Sequence, residues 1–348
     1  MKAMAFAAAT AALFVSACGT QGGNQAGGGA GASQAQITGA GSTFVYPVLS
    51  AWAADYQKQS GAKVNYQSIG SGGGISQVKA GTVDFGASDQ PLSSEELAQS
   101  NLAQFPVVIG GIVAVTNLTG IAPGKLRLTG PLLADIFAGK VKTWNDPSIV
   151  RINPGVNLPS AAIAVVHRSD GSGTTFNFTH YLSQVSSTWK SGPGEGKTVA
   201  WPTGVGGKGN EGVAAYVKQL PNSIGYVEYA YVLQNGMNYA SLQNAAGNFV
   251  LPNAETFSSA AETADWAKAQ DFNLVMTNAA GANAYPLTAT TFILMPKSPK
   301  DAAQSKAALD FFRFALDKGQ DQAKKLDYVP LPQALVKQIE DYIARTIK

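Results

Sequence analysis

Ile37-Thr38-Gly39-Ala40-Gly41-Ser42-Thr43-Phe44 sets the pattern that the rest of the chain follows. Residues 35–38 read as a short strand and the Gly/Ser/Thr run as its exit turn. Val48, Ala51, Trp52 and Tyr56 then recur at the spacing of one helix face. The unit comes again: Val64 and Tyr66 alternate across a strand at 63–68, and Gly70-Ser71-Gly72-Gly73-Gly74 leads into a helix carrying Ile75 and Val78. A third strand and its exit turn lie at Val83-Asp84-Phe85-Gly86-Ala87-Ser88-Asp89, and 105–116 is an apolar run suited to a buried strand. Strands alternating with helices predict an α/β protein with mostly parallel pairing.

Beyond Asn117 the rhythm resumes. A helix is expected at 126–139 and a strand at 163–166. Asp170-Gly171-Ser172-Gly173-Thr174-Thr175-Phe176 opens another helix, with a further helix at 211–220 and a strand at 224–227. An extended segment at 285–294 and amphipathic helices at 303–315 and 335–347 close the chain. A chain that leaves one lobe, builds a second and returns makes two lobes joined by two crossovers, here 37–117 plus 286–348 and 118–285, with hinges near Asn117 and Tyr285. No repeat of fixed period is present.

The 348 residues suffice for two ordinary domains, and 45% apolar content supplies their cores. Only 14% are charged, and 25 basic against 22 acidic residues leave +3, which gives no reason to expect nucleic acid as a partner. Lys2 precedes a small-residue apolar run at 3–17, the length of a secretory h-region and too short to span a bilayer. It ends at Val15-Ser16-Ala17-Cys18, which resembles a lipobox. That resemblance implies a signal peptide at 1–17, cleavage before Cys18, and acylation of Cys18 as a lipid anchor on the outer side of a membrane. Cys18 is the only cysteine, so no internal disulfide is expected. Residues 18–36, rich in Gly, Gln, Ser and Ala, read as a flexible tether.

Three turns, 39–44, 70–74 and 170–174, share one design: strand, Gly/Ser/Thr turn, helix. A helix N-terminus offers unpaired N–H groups and about half a positive charge. Glycine admits a ligand to the backbone, and Ser or Thr adds a hydroxyl donor. Each turn alone is as well explained by ordinary capping. Three together, at the C-terminal ends of strands, favour a shared anion site.

Arg168, just before the third turn, suits bidentate contact with an oxyanion, and Asp170 beside it is a natural partner for the guanidinium. Asp89 is the unexpected residue. A carboxylate repels a fully ionised anion but can accept a proton still carried by the ligand. Phosphate near neutral pH keeps such a proton and sulfate does not, so a buried carboxylate separates the two ions. The residues alone leave open a turn or helix-cap role for Asp89.

These stretches, with Gly225-Tyr226-Val227-Glu228-Tyr229, Trp201-Pro202, Gly206-Gly207-Lys208-Gly209-Asn210 and Thr290-Thr291-Phe292-Ile293-Leu294, resemble the phosphate-binding proteins of phosphate-specific ABC transporters (PstS type) across nearly the whole chain after the tether. The resemblance implies a two-lobed periplasmic-binding-protein fold of type II. Each lobe would be a mixed, mostly parallel sheet flanked by helices. It implies capture of inorganic phosphate and delivery to permease subunits with their ATPase, by a monomer without cofactor. It places Ser42, Thr43, Phe44, Ser71, Asp89, Arg168, Ser172, Gly173 and Thr174 on the phosphate, with Asp170 orienting Arg168. Gly72 and His167 stand where other members often carry Ser and a second Arg, and neither position is a family ligand contact.

The rival readings are a binding protein for another tetrahedral oxyanion and a phosphatase. No Gly-x-Ser-x-Gly surrounds Ser42, Ser71, Ser88 or Ser172, and no P-loop motif is present. His167 and His180 are the only histidines, and no Cys/His cluster has metal spacing. Ser76-Gln77-Val78-Lys79 fits Ser-x-x-Lys without its companion motifs. The run 207–212 fits Gly-x-Gly-x-x-Gly without a convincing preceding strand or a suitable acidic residue downstream, so it reads as a structural turn.

Overall fold

The computed structural model describes residues 36–348. The expected leader at 1–17, Cys18 and all of the tether except Gln36 lie outside the described residues. The strands are β1 (Gln36–Gly41), β2 (Lys63–Ser68), β3 (Phe85–Ser88), β4 (Leu102–Thr116), β5 (Arg127–Leu128), β6 (Ala164–Arg168), β7 (Val205–Gly207), β8 (Ser223–Glu228), β9 (Asn238–Tyr239), β10 (Ser241–Gln243), β11 (Phe249–Val250) and β12 (Thr288–Pro296). They run β2-β1-β3-β12-β4-β8-β6-β7, with β9 on the end of β4 and a separate small sheet β11-β10-β5.

Two parallel groups emerge, β2-β1-β3 and β8-β6-β7, each the core of one lobe. Between them lie the long apolar strands, which pair antiparallel: β12 with β3 and β4, and β4 with β8. β4 is buried along its whole length and serves both lobes, pairing β12 over 102–111 and β8 over 112–116. The chain returns beside it, the Ile112 N–H donating to the Leu287 carbonyl at 2.8 Å.

Several boundaries differ from the expectation for identifiable reasons. β4 starts at Leu102 because Gln104, though polar, is fully satisfied in the interior: its amide takes the Leu92 N–H and donates to the carbonyls of Leu92 and Asp271. The helix expected at 126–139 is Gly130–Phe137. Its start is fixed by Thr129, whose hydroxyl accepts the Leu132 N–H, and by a proline in the first turn, which leaves Arg127–Leu128 to pair as β5. The run 207–212 does have a preceding strand. β7 is Val-Gly-Gly, whose two glycines disfavour a strand, and it forms by parallel pairing with β6. The helix after it begins at Gly209.

Both cores are aromatic. Phe312 packs edge-on to Phe85 and Phe105 at 4.8 and 5.8 Å between ring centroids. In the other lobe Phe178 stacks on Tyr226 at 4.2 Å, with Phe137 edge-on to Phe178. Trp52, Trp144, Trp189 and Trp266 are buried as packing residues, and Trp201 stacks on His167 at 4.7 Å. Among the described residues no helix is long and apolar enough to cross a membrane.

Candidate anion-binding site

The three predicted turns meet. Ser42, Thr43, Ser71, Asp89, Arg168, Ser172 and Thr174 all have 3% or less of their surface exposed. Hydrogen bonds cross between the lobes at this point: Gly173 N–H to Ser71 Oγ at 3.0 Å, Gly72 N–H to the Gly171 carbonyl at 2.8 Å, and Asn177 Nδ2 to the Asp89 carbonyl at 2.6 Å.

The first turn leaves β1 through Gly41, whose φ of 141° and tight approach to the Ala87 backbone leave no room for a side chain. Thr43 and Phe44 stand just ahead of the helix Tyr46–Ser60, which has no side-chain cap. Tyr231 and Tyr328 hold this turn by donating to the carbonyls of Thr43 and Phe44 at 2.6 and 2.7 Å. In the second turn Gly70 (φ 89°) precedes the helix Ser71–Ala80, again without a side-chain cap. A Cβ on Gly70 would strike the Asp170 carboxylate of the other lobe. In the third turn Ser172 does cap: its Oγ accepts the Thr175 N–H at 3.0 Å, which leaves the hydroxyl proton free. Capping therefore accounts for one of the three hydroxyl-bearing turns.

Arg168 sits at the end of β6, where its N–H donates to the Tyr226 hydroxyl at 3.1 Å. Asp170 grips the guanidinium at both carboxylate oxygens, at 2.8 and 2.6 Å, while Nη1 reaches Thr174 Oγ1 at 3.3 Å. Burial pushes the Asp170 carboxyl up, but Arg168 and the Gly209 N–H outweigh it and hold the carboxyl below the ordinary value.

Asp89 follows β3. It does not cap the next helix; Ser93 does that in a capping box with Glu96. Its carboxylate accepts the Ser42 hydroxyl at 2.6 and 2.7 Å and the Thr291 hydroxyl at 2.8 Å. Burial pushes the carboxyl up to about 6 even though Ser42, Thr291 and Arg168 favour the ionised form. Ser42 therefore directs its proton at Asp89, and its Oγ accepts the Phe44 N–H at 3.0 Å.

Residue-level reading missed a fourth helix N-terminus. Gly209–Gln219 begins beside the site, and its second residue, the fully buried Asn210, donates to Thr43 Oγ1 from the backbone at 3.0 Å and from Nδ2 at 2.7 Å. The missed signal was the glycine pair of the 207–212 run, set aside for want of a strand before it. Thr291 was missed as a site residue because it is one of three threonines in a buried strand, and nothing local distinguishes it from Thr288 and Thr290.

A PBP superfamily domain matches residues 26–318. Phosphate-binding protein PstS of Xylella fastidiosa is 63% identical over 313 residues, covering 90% of this chain and 86% of that protein. The chain belongs to the PstS family of phosphate-binding proteins. The Pasteurella multocida PstS is 56% identical over 88% of this chain and 90% of its own. Among solved structures, the phosphate-binding protein from Stenotrophomonas maltophilia superposes with a TM-score of 0.67 at 20% identity, covering 88% of this chain and 93% of its own, a likeness of fold. The PstS fold thus brings three hydroxyl-bearing turns, a paired arginine and the raised carboxylate of Asp89 to a single buried point, with the buried Glu228, also raised, close behind it. Among the described residues no group of His, Cys, Asp or Glu is arranged to hold a metal ion.

Proposed function

We propose that this PstS family member binds inorganic phosphate between its lobes and delivers it to the permease of an ABC importer, whose separate ATPase drives transport. The observation that carries this reading is Asp89: a buried carboxylate set among the converging donors of the turns. Backbone N–H groups, hydroxyls and a guanidinium suit the ionised oxygens of the ligand, and the carboxylate suits the one oxygen that keeps a proton. The phosphate contacts are assigned to Thr43, Phe44, Ser71, Asp89, Arg168, Ser172, Gly173 and Thr174, with Ser42 reaching the ligand through Asp89 and Asp170 orienting Arg168. The lobes comprise 37–117 plus 286–348 and 118–285, and they close on the ligand by hinge motion, since phosphate stabilises the form in which both contribute. The protein acts as an exported monomer, held to a membrane by acylated Cys18.

Calorimetry on the phosphate-stripped protein tests the ligand. One-to-one phosphate binding with silent sulfate is expected, and Asp89→Asn is expected to weaken phosphate at least about tenfold while admitting sulfate. Equal response of the unsubstituted protein to both ions favours a general oxyanion carrier. Turnover of a chromogenic phosphate ester in proportion to protein would sink the binding-only reading. For the anchor, Cys18→Ala is expected to move the expressed protein from the membrane fraction to the soluble one; membrane retention would overturn it.

A further inference from the structure

Asn210 is a positioning residue that fixes which way the site's hydroxyls point, and the argument rests on the phosphate reading above. A hydroxyl offers two lone pairs and one proton. Both lone pairs of Thr43 Oγ1 are filled by Asn210, one by its backbone N–H at 3.0 Å and one by Nδ2 at 2.7 Å. Nδ2 also reaches Thr174 Oγ1 at 3.4 Å, where the second donor is Arg168 Nη1 at 3.3 Å. The amide cannot turn over without loss, because Oδ1 accepts the Glu228 N–H at 2.9 Å. With every lone pair occupied, the proton is the one group Thr43 and Thr174 can still direct at a ligand. We infer that Asn210 makes Thr43 and Thr174 obligate donors to the anion, so that Asp89 is left as the acceptor for the ligand's proton.

Ser71 obeys the same rule through backbone groups, its Oγ accepting the N–H of Gly173 at 3.0 Å and of Asp89 at 3.3 Å. No side-chain substitution removes those two donors, so Asn210 is where the principle can be tested. Thr43 belongs to the lobe of β1 and Asn210 to the lobe of β7, which means Thr43 is oriented only when the lobes meet, whereas Thr174 is oriented within its own lobe. For Thr43, closure and donor alignment are one event, and a ligand that required it as an acceptor would find none in the closed form.

The test is a double-mutant cycle read by phosphate titration. Asn210→Ala and Thr43→Val are each expected to raise the phosphate Kd about tenfold or more. If Asn210 acts through these hydroxyls, the loss in the double variant falls well short of the two single losses multiplied, since only the Asn210 contact to Thr174 is left to lose once Thr43 is Val. Fully multiplying losses would overturn the inference, because a merely structural role adds independently. Asn210→Asp is the second variant: it keeps the oxygen that Glu228 holds but presents an acceptor to Thr43, turning that proton inward. It is expected to bind phosphate more weakly than Asn210→Ala does; binding as tight as that of the unsubstituted protein would also overturn the inference. Silence of the unsubstituted protein toward phosphate would instead remove the functional reading and this inference with it. Losses that multiply in a protein that binds phosphate remove the inference alone.

Discussion

Asp89 is buried, ionisable and raised from 3.8 to about 6, so its titration belongs to the physiological range. A folded-state value above the unfolded one means that the folded protein holds the extra proton between the two. The group favours folding most below 3.8, and that contribution disappears as pH rises through about 6; the full difference is roughly 3 kcal/mol. Glu228, raised by its complete burial, acts in the same direction, whereas Asp170, held low, contributes stability that is lost only at acid pH. Between pH 5 and pH 8, Asp89→Asn is therefore expected to gain on the unsubstituted ligand-free protein by about 1–2 kcal/mol, a few degrees of melting midpoint. A constant offset at both pH values would mean that Asp89 keeps an ordinary value. The same titration predicts a change in selectivity. Below about 6 the carboxyl carries its own proton and can donate to a fully ionised oxygen, so sulfate is expected to compete with phosphate at pH 5 and not at pH 8. Competition independent of pH would remove Asp89 from the selectivity mechanism.

At the scale of elements, the third turn shows how tightly the lobes are matched. A Cβ on Gly173 would lie 2.5 Å from Ser71 Oγ and 2.6 Å from the Asp89 backbone nitrogen, with no flexible side-chain end to give way. Gly173→Ala is expected to leave the separate lobes folded but to weaken phosphate by about tenfold or more, since each 1.4 kcal/mol lost on closure is a factor of ten. Calorimetry and a melting scan separate the two effects; unchanged affinity would show that the lobes do not close to this distance. The three turns were legible in the sequence because glycines and hydroxyls at strand ends are a local signal. Asp89 was legible as an oddity, and its partners Ser42 and Thr291, 47 and 202 residues away, could not be read from the sequence around it. Asn210 was less legible for the same reason. Nothing near 210 announces that Thr43 lies opposite, and β7 ahead of it forms by tertiary pairing rather than by propensity. The crossover was hidden in β4, a strand buried along its whole length, where only the Gly110-Gly111 pair stands at the point at which the pairing passes from β12 to β8.

For the whole molecule, the distribution of charge decides how the anion is held. Arg168 is the one buried cation of the site, and its charge is already met by the paired Asp170. On the proposed reading of the site, the ligand's charge falls mainly on dipoles: the N–H groups and hydroxyls of the turns and the N-termini of the helices Ser71–Ala80, Gly173–Val185 and Gly209–Gln219. These are neutral groups fixed by the fold, and salt at a Debye length of about 8–10 Å screens buried contacts poorly. The chain as a whole carries only +3, from 25 basic and 22 acidic residues, so long-range attraction adds little. Phosphate affinity is accordingly expected to change by less than about threefold between 20 mM and 500 mM sodium chloride, in contrast to the steep salt dependence of sites built from free lysines and arginines. Titrations at the two salt concentrations at pH 8, where Asp89 is ionised, check this. A loss of about tenfold or more would mean that exposed cations at the mouth of the site, rather than the enclosed dipoles, carry the binding.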